Sequence, residues 1–119
     1  MKPKRSLIAI LVFAVLLAGG VIIVVNANSD AFDSKMWQSQ KGVERNNART
    51  GMLGALERKH LRVGMPRKDV EALLGEPDIR EPVRDIYELG VSPVGVDFES
   101  YVIEYDRANL VTGFRLSRG

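Results

Sequence analysis

Few side chains in this 119-residue chain have the chemistry to act on a substrate, and their spacing does not bring them together. There is one histidine, His60, and no cysteine. A thiolate nucleophile, a disulfide, a cysteine-ligated metal and a lipid carried on cysteine are therefore excluded. His60 stands at the end of an expected helix with no base or acid partner at a usable spacing, so it reads as a cation near the last carbonyls and not as a general base. Glu104 and Asp106 are spaced to share one strand face, where paired carboxylates ordinarily face water. Asp97-Phe98-Glu99-Ser100-Tyr101 carries hydrophobes where a calcium loop needs turn residues. Between Gly64 and Gly75 the Lys-Ser/Thr ending of a phosphate loop is absent. No catalytic residue, cofactor, metal, nucleic acid or small-molecule substrate is expected from this inventory.

The residues with a clear pattern shape backbone instead. Gly64-Met65-Pro66 opens a short helix, with Pro66 suited to its first position. Asp69 and Glu71 lie in the early turns, where the helix dipole favours carboxylates. Val70, Leu73 and Leu74 make one apolar face. Gly75 supplies a left-handed stop, and Pro77 prevents the helix from resuming. Tyr87-Glu88-Leu89-Gly90 follows in a strand.

The first quarter of the chain has another character. Lys2, Lys4 and Arg5 precede Leu7–Val25, nineteen residues without a charged or polar side chain. As a helix this run would span roughly 28 Å, about the hydrocarbon thickness of a bilayer. We expect residues 1–25 to be a transmembrane anchor with Leu7, Leu11, Leu16, Val21 and Val25 in lipid. The alternative is a secretory signal cleaved near Ala27, although signal cores are usually shorter. Either way the positive flank keeps the N-terminus in the cytoplasm and exports the remainder. The whole-chain net charge of +2 comes from that leader. After Val25 there are fourteen basic and fifteen acidic residues, a net of −1.

Residues 26–42 are expected to be a linker and 43–119 the domain. Phe32, Met36 and Trp37 fit a short amphipathic helix or aromatics docking from a linker. Val43–His60 reads as the first domain helix, with Met52, Ala55, Leu56 and Lys59 in one stripe and Arg45 and Arg49 on a solvated face. Three strands follow at Val83–Leu89, Asp97–Tyr105 and Leu110–Leu116, the last two joined through Asp106–Asn109. Leu110, Thr112, Phe114 and Leu116 should share a face. The expected fold is α+β, two helices on a three-stranded antiparallel sheet. From Arg80 to Asp106 the charge is −5 and from Asp30 to Arg62 it is +3. Such a separation could steer a partner or merely solvate two faces. Gly90–Val96 is apolar for a loop, so Val91, Pro93, Val94, Val96 and Glu99 mark a candidate partner surface. Alternatively its valines close the end of the core.

The order helix, Gly64-Met65, Val70, Leu73-Leu74-Gly75-Glu76-Pro77, Tyr87-Glu88-Leu89-Gly90, hairpin resembles the SmpA/OmlA (BamE-like) family of small bacterial envelope proteins, over about Arg45 to Leu116. Its fold is that of the repeat units in β-lactamase inhibitor protein. The resemblance implies a periplasmic, non-enzymatic module that binds another envelope protein, as in outer-membrane protein assembly. The inhibitor likeness implies a second function, blocking a secreted or periplasmic enzyme in the manner of an immunity protein. Gly20 stands where the family's lipid-bearing cysteine would be. The expected location is therefore the inner membrane, single-pass, with the C-terminal domain in the periplasm.

Overall fold

A computed structural model describes residues 31–119, and the compact unit within them is Phe32–Gly119. The expected anchor residues and the cleavage point near Ala27 lie outside the described residues. Among the described residues no helix is long and apolar enough to cross a membrane.

Among the described residues three helices, α1 (Ser34–Ser39), α2 (Arg49–Lys59) and α3 (Arg67–Leu74), precede four strands, β1 (Ile79–Glu81), β2 (Arg84–Val91), β3 (Phe98–Tyr105) and β4 (Val111–Arg118). The strands form one antiparallel sheet in the order β1-β2-β3-β4. The class is therefore α+β with an antiparallel sheet, and the expectation of two helices and three strands is short by one of each. The spacing of Phe32, Met36 and Trp37 left α1 open between a short helix and a linker, β1 is too brief for periodicity to reveal, and a neighbour supports each. Asp33 caps α1 by accepting from the Met36 backbone N–H at 3.0 Å. Trp37 then enters the core between Phe32, Tyr87 and Tyr101, with ring centroids 5.9, 5.9 and 6.5 Å away. The polar stretch assigned to a linker thus contributes its largest side chain to the centre of the body. β1 exists because its three residues pair with Arg84–Ile86.

α2 begins six residues later than the apolar stripe suggested. Asn46 takes a positive φ of 54°, and the Asn47 side chain bonds the carbonyls of Gln40 and Val43 while accepting from the Arg49 N–H. An asparagine satisfying its neighbours' backbone in this way competes with helix and holds a loop. Pro66 precedes α3 as its cap residue, one position earlier than expected. Gly75 ends α3 at φ +80°, as the left-handed stop requires.

The core gathers Trp37, Met52, Leu56, Leu61, Met65, Val70, Leu74, Tyr87, Leu89, Tyr101, Ile103, Tyr105 and Val111 on one side of the sheet. Its stitching explains two of the sequence signatures: Tyr87 donates its hydroxyl to the Gly75 carbonyl at 2.8 Å, which ties the Leu-Gly-Glu-Pro stop to the Tyr-Glu-Leu-Gly strand. On β4 the expected face is wrong at one end. A bulge between Glu104 and Tyr105 shifts the register, so Val111 and not Thr112 is buried while Phe114 still points to the core.

A candidate interaction surface

The β2–β3 hairpin ends in an apolar tip held on a rigid base. Gly90 takes φ +81°, and a Cβ there would stand 2.5 Å from the Glu44 carbonyl oxygen and 2.8 Å from that of Val43. Only glycine lets β2 pass so close to the loop before α2. The next residue, Val91, donates its N–H to the same Glu44 oxygen at 2.7 Å, and Ser92 donates to Asp97 across the hairpin at 2.8 Å. Gly90 and Val91 are therefore strand, and the loop shrinks to the segment after them. Beyond this staple the chain projects outward. Val94 is 95% exposed, Val96 85% and Phe98 55%, with Pro93 exposed beside them. The valines of the tip do not close the core; of the two readings open to the sequence, that one is removed. A shallow cleft of about 150 Å³ lies at the base, lined by Arg45, Asn46, Val91, Ser92 and Pro93.

Glu99 is placed differently from its neighbours in the candidate set. It is 3% exposed and accepts from Arg118 Nε at 2.6 Å, so its carboxylate is turned inward and already paired. The structure therefore groups Pro93, Val94 and Val96 at the surface, adds Phe98, and separates Glu99 from them.

Two arginines are committed to the fold. Arg49, expected in solvent, is 1% exposed. Its Nε donates to the Trp37 carbonyl at 2.8 Å, and its Nη1 donates to the Glu88 carbonyl at 3.0 Å and to Asp78 Oδ2 at 3.1 Å. Its guanidinium lies 5.1 Å from the Trp37 ring centroid. Asp78 also accepts from the Glu88 N–H and pairs with Lys41 at 3.4 Å. A second buried pair joins Arg67 Nη2 to Asp85 Oδ1 at 2.6 Å, with Tyr105 donating to the other oxygen at 2.9 Å. Arg67 also donates to the carbonyls of Glu81 and Pro82, which holds β1 and its turn against α3. Low-dielectric surroundings make such pairs costly to break and specific in geometry.

The same accounting covers the groups weighed for catalysis. The His60 ring packs on Phe32 at 5.1 Å. Asp106 accepts from the N–H groups of Ala108 and Leu110 and shapes the turn, while Glu104 pairs with Arg115 at 3.5 Å. Burial pushes the hydroxyls of Tyr87, Tyr101 and Tyr105 well above their ordinary value of 10.0, aided by Asp85 at Tyr87, by Glu57 at Tyr101 and by Asp85 at Tyr105. They are held neutral and serve as donors. Among the described residues no three His, Asp or Glu side chains converge as metal ligands. A cleft of about 420 Å³ along Pro66, Arg67, Lys68, Glu71, Arg80 and Asn109 has both its arginines paired, Arg67 with Asp85 and Arg80 with Glu71 at 2.6 Å, and Lys68 exposed at its rim.

Comparison with protein-family models finds no match, and comparison with curated proteins finds no similar chain.

Proposed function

We propose that this chain is a non-enzymatic interaction module of the bacterial cell envelope, tethered by Leu7–Val25 in the inner membrane and facing the periplasm. It binds another envelope protein through the β2–β3 tip. The observation that supports this reading is the exposure of Val94, Val96 and Phe98 together on a hairpin whose base is stapled to the body. Apolar side chains gathered at one projecting point are a marker of association surfaces. A rigid presentation also lowers the ordering cost of binding. The likeness of residues 45–116 to SmpA/OmlA proteins supplies the envelope context and the link to outer-membrane protein assembly.

A photo-activated crosslinker placed at position 94 in intact cells tests it. Capture of one discrete envelope protein, absent when the probe is placed at exposed Lys35, is the expected result. A single dominant secreted enzyme in the capture would instead establish the inhibitor role. A reporter fused after Gly119 that proves cytosolic, or equal labelling from both positions, defeats the proposal.

A further inference from the structure

The outer edge of β4 is only partly filled. At its start Val111 exchanges hydrogen bonds with the Gly64–Met65 segment: Gly64 N–H to the Val111 carbonyl at 2.7 Å and Val111 N–H to the Met65 carbonyl at 2.9 Å. Pro66 bridges Leu110 antiparallel, and the chain then turns into α3. Beyond Val111, no backbone group among the described residues pairs with that edge. Gly119 donates inward to the Phe98 carbonyl at 3.2 Å, so by alternation the N–H and C=O groups of Arg118, Leu116 and Phe114 point outward. This is an open slot whose first position the protein fills with its own chain.

The side chains along the slot have a definite character. Phe114 and Leu116 lie opposite Ile103 and Tyr101 on the core face, and Leu116 is 40% exposed because the core leaves it uncovered at the rim. On the other face stands Arg115, half exposed and 3.5 Å from Glu104, with Ser117 two residues on; Arg118, on the core face and paired with Glu99 at 2.6 Å, closes the slot. Exposed Arg62 lies two residues before Gly64 at the opposite end. Cations on an edge strand ordinarily ward off pairing with an identical strand. The longest in-line pairing of two β4 copies over Thr112–Arg118 would set Arg115 directly against Arg115, which like charge disfavours. Arg118 is held by Glu99, but the Arg115–Glu104 contact is long and half exposed, so it offsets that cation only weakly and Arg115 favours a strand of opposite sign.

We infer that the β4 edge from Thr112 to Arg118 takes an extended acidic segment of a partner protein as an added antiparallel strand. The segment runs toward Gly64, with apolar residues beside Phe114 and Leu116 and carboxylates beside Arg115. Backbone pairing supplies affinity and the alternation supplies specificity. The inference rests on reading the chain as a binding module, but it concerns an edge distinct from the β2–β3 tip.

The test uses the full chain in mild non-ionic detergent with a fluorescent eight-residue peptide of alternating valine and glutamate. Expected are saturable binding by anisotropy and exchange at the Leu116 amide slowed by about tenfold or more. A valine–lysine peptide, and a valine–glutamate peptide N-methylated on alternate amides, should each bind about tenfold more weakly or worse. L116P removes an outward N–H that no strand uses, as edge positions tolerate, and should abolish binding; R115E should weaken it whether or not L116P folds. Equal binding of both peptide signs, or protection confined to Val94–Phe98, overturns the inference. So does a concentration-dependent dimer that L116P abolishes. Peptide binding at β4 with no crosslink from position 94 would defeat the tip reading alone, and the reverse pattern would defeat this inference alone.

Discussion

At the scale of single residues, the buried charges carry more of the specification than any surface group. Arg49 bonds a helix α1 carbonyl, a β2 carbonyl and the Asp78 carboxylate from one guanidinium, so it fixes the mutual placement of three segments. Removing one partner of such a pair leaves an uncompensated buried charge. D78N should therefore destabilise the domain by about 3 kcal/mol in denaturant titrations, whereas neutralising exposed Lys35 should change stability by less than about 0.5 kcal/mol. The tyrosines give a second residue-scale expectation. All three tyrosines of the chain are buried, and burial raises each hydroxyl above 10.0. The folded state then holds phenolic protons that the unfolded state releases. Stability from these groups is intact below pH 10 and is lost progressively as pH rises above it. Absorbance at 295 nm should show no tyrosinate until the fold gives way, with ionisation and loss of the near-ultraviolet circular dichroism signal coinciding. Ionisation of any tyrosine ahead of unfolding would show that its hydroxyl is accessible. Neither Asp85 nor Arg49 was read as buried from the sequence, although the spacing of each fits a buried face. Asp85 alternates with Tyr87 and Leu89, and Arg49 falls three and seven residues before Met52 and Leu56. Charge alone argued for solvent, and periodicity was the better guide, because a charge with a partner can occupy an apolar stripe.

At the scale of elements, glycines of identical composition have opposite roles according to what stands near them. Gly90 lies at positive φ with the Glu44 carbonyl oxygen at 2.5 Å from a built Cβ, whereas Gly51 sits in α2 with open space around it. G90A should cost about 3 kcal/mol, since strain and a backbone clash add. G51A should stabilise the domain by about 0.5–1 kcal/mol through better helix propensity. Thermal midpoints of the two variants should therefore move in opposite directions. α3 was readable almost to the residue, because its signals are local: a proline before it, an apolar face within it and a glycine after it. α2 was not, because Asn46 and Asn47 exchange helical bonds for loop bonds with Gln40 and Val43. The face of β4 was missed for a related reason, since one extra residue in a bulge reverses every side chain on one side of it.

At the scale of the whole molecule, the packed core and the exposed apolar tip are separate parts. The core and its buried pairs lie beneath the helices, while the β2–β3 tip projects beyond the staple at Gly90 and Val91. V94S/V96S should leave the unfolding free energy within about 0.5 kcal/mol of the parent, while sharply reducing the species captured by a crosslinker at position 98. A stability loss of several kcal/mol would instead show that the valines pack against the body. The separation follows from size: a domain this small needs nearly every apolar side chain for its own core. Val94, Val96 and Phe98, left in solvent, are the side chains that the proposed partner would cover.

The sequence by itself determined the class, the antiparallel strands, the limits of α3 and the shortage of reactive groups. Each depends on residue type and near-neighbour spacing, which a linear chain displays in full. Only the tertiary structure decided that α1 and β1 form, that Arg49, Asp85 and Glu99 are inside, that the Gly90–Val96 stretch divides into strand and exposed tip, and that one end of the β4 edge is occupied by Gly64–Pro66. Those outcomes depend on contacts between residues distant in sequence, where a hydrogen bond or ion pair across the fold outweighs the local preference.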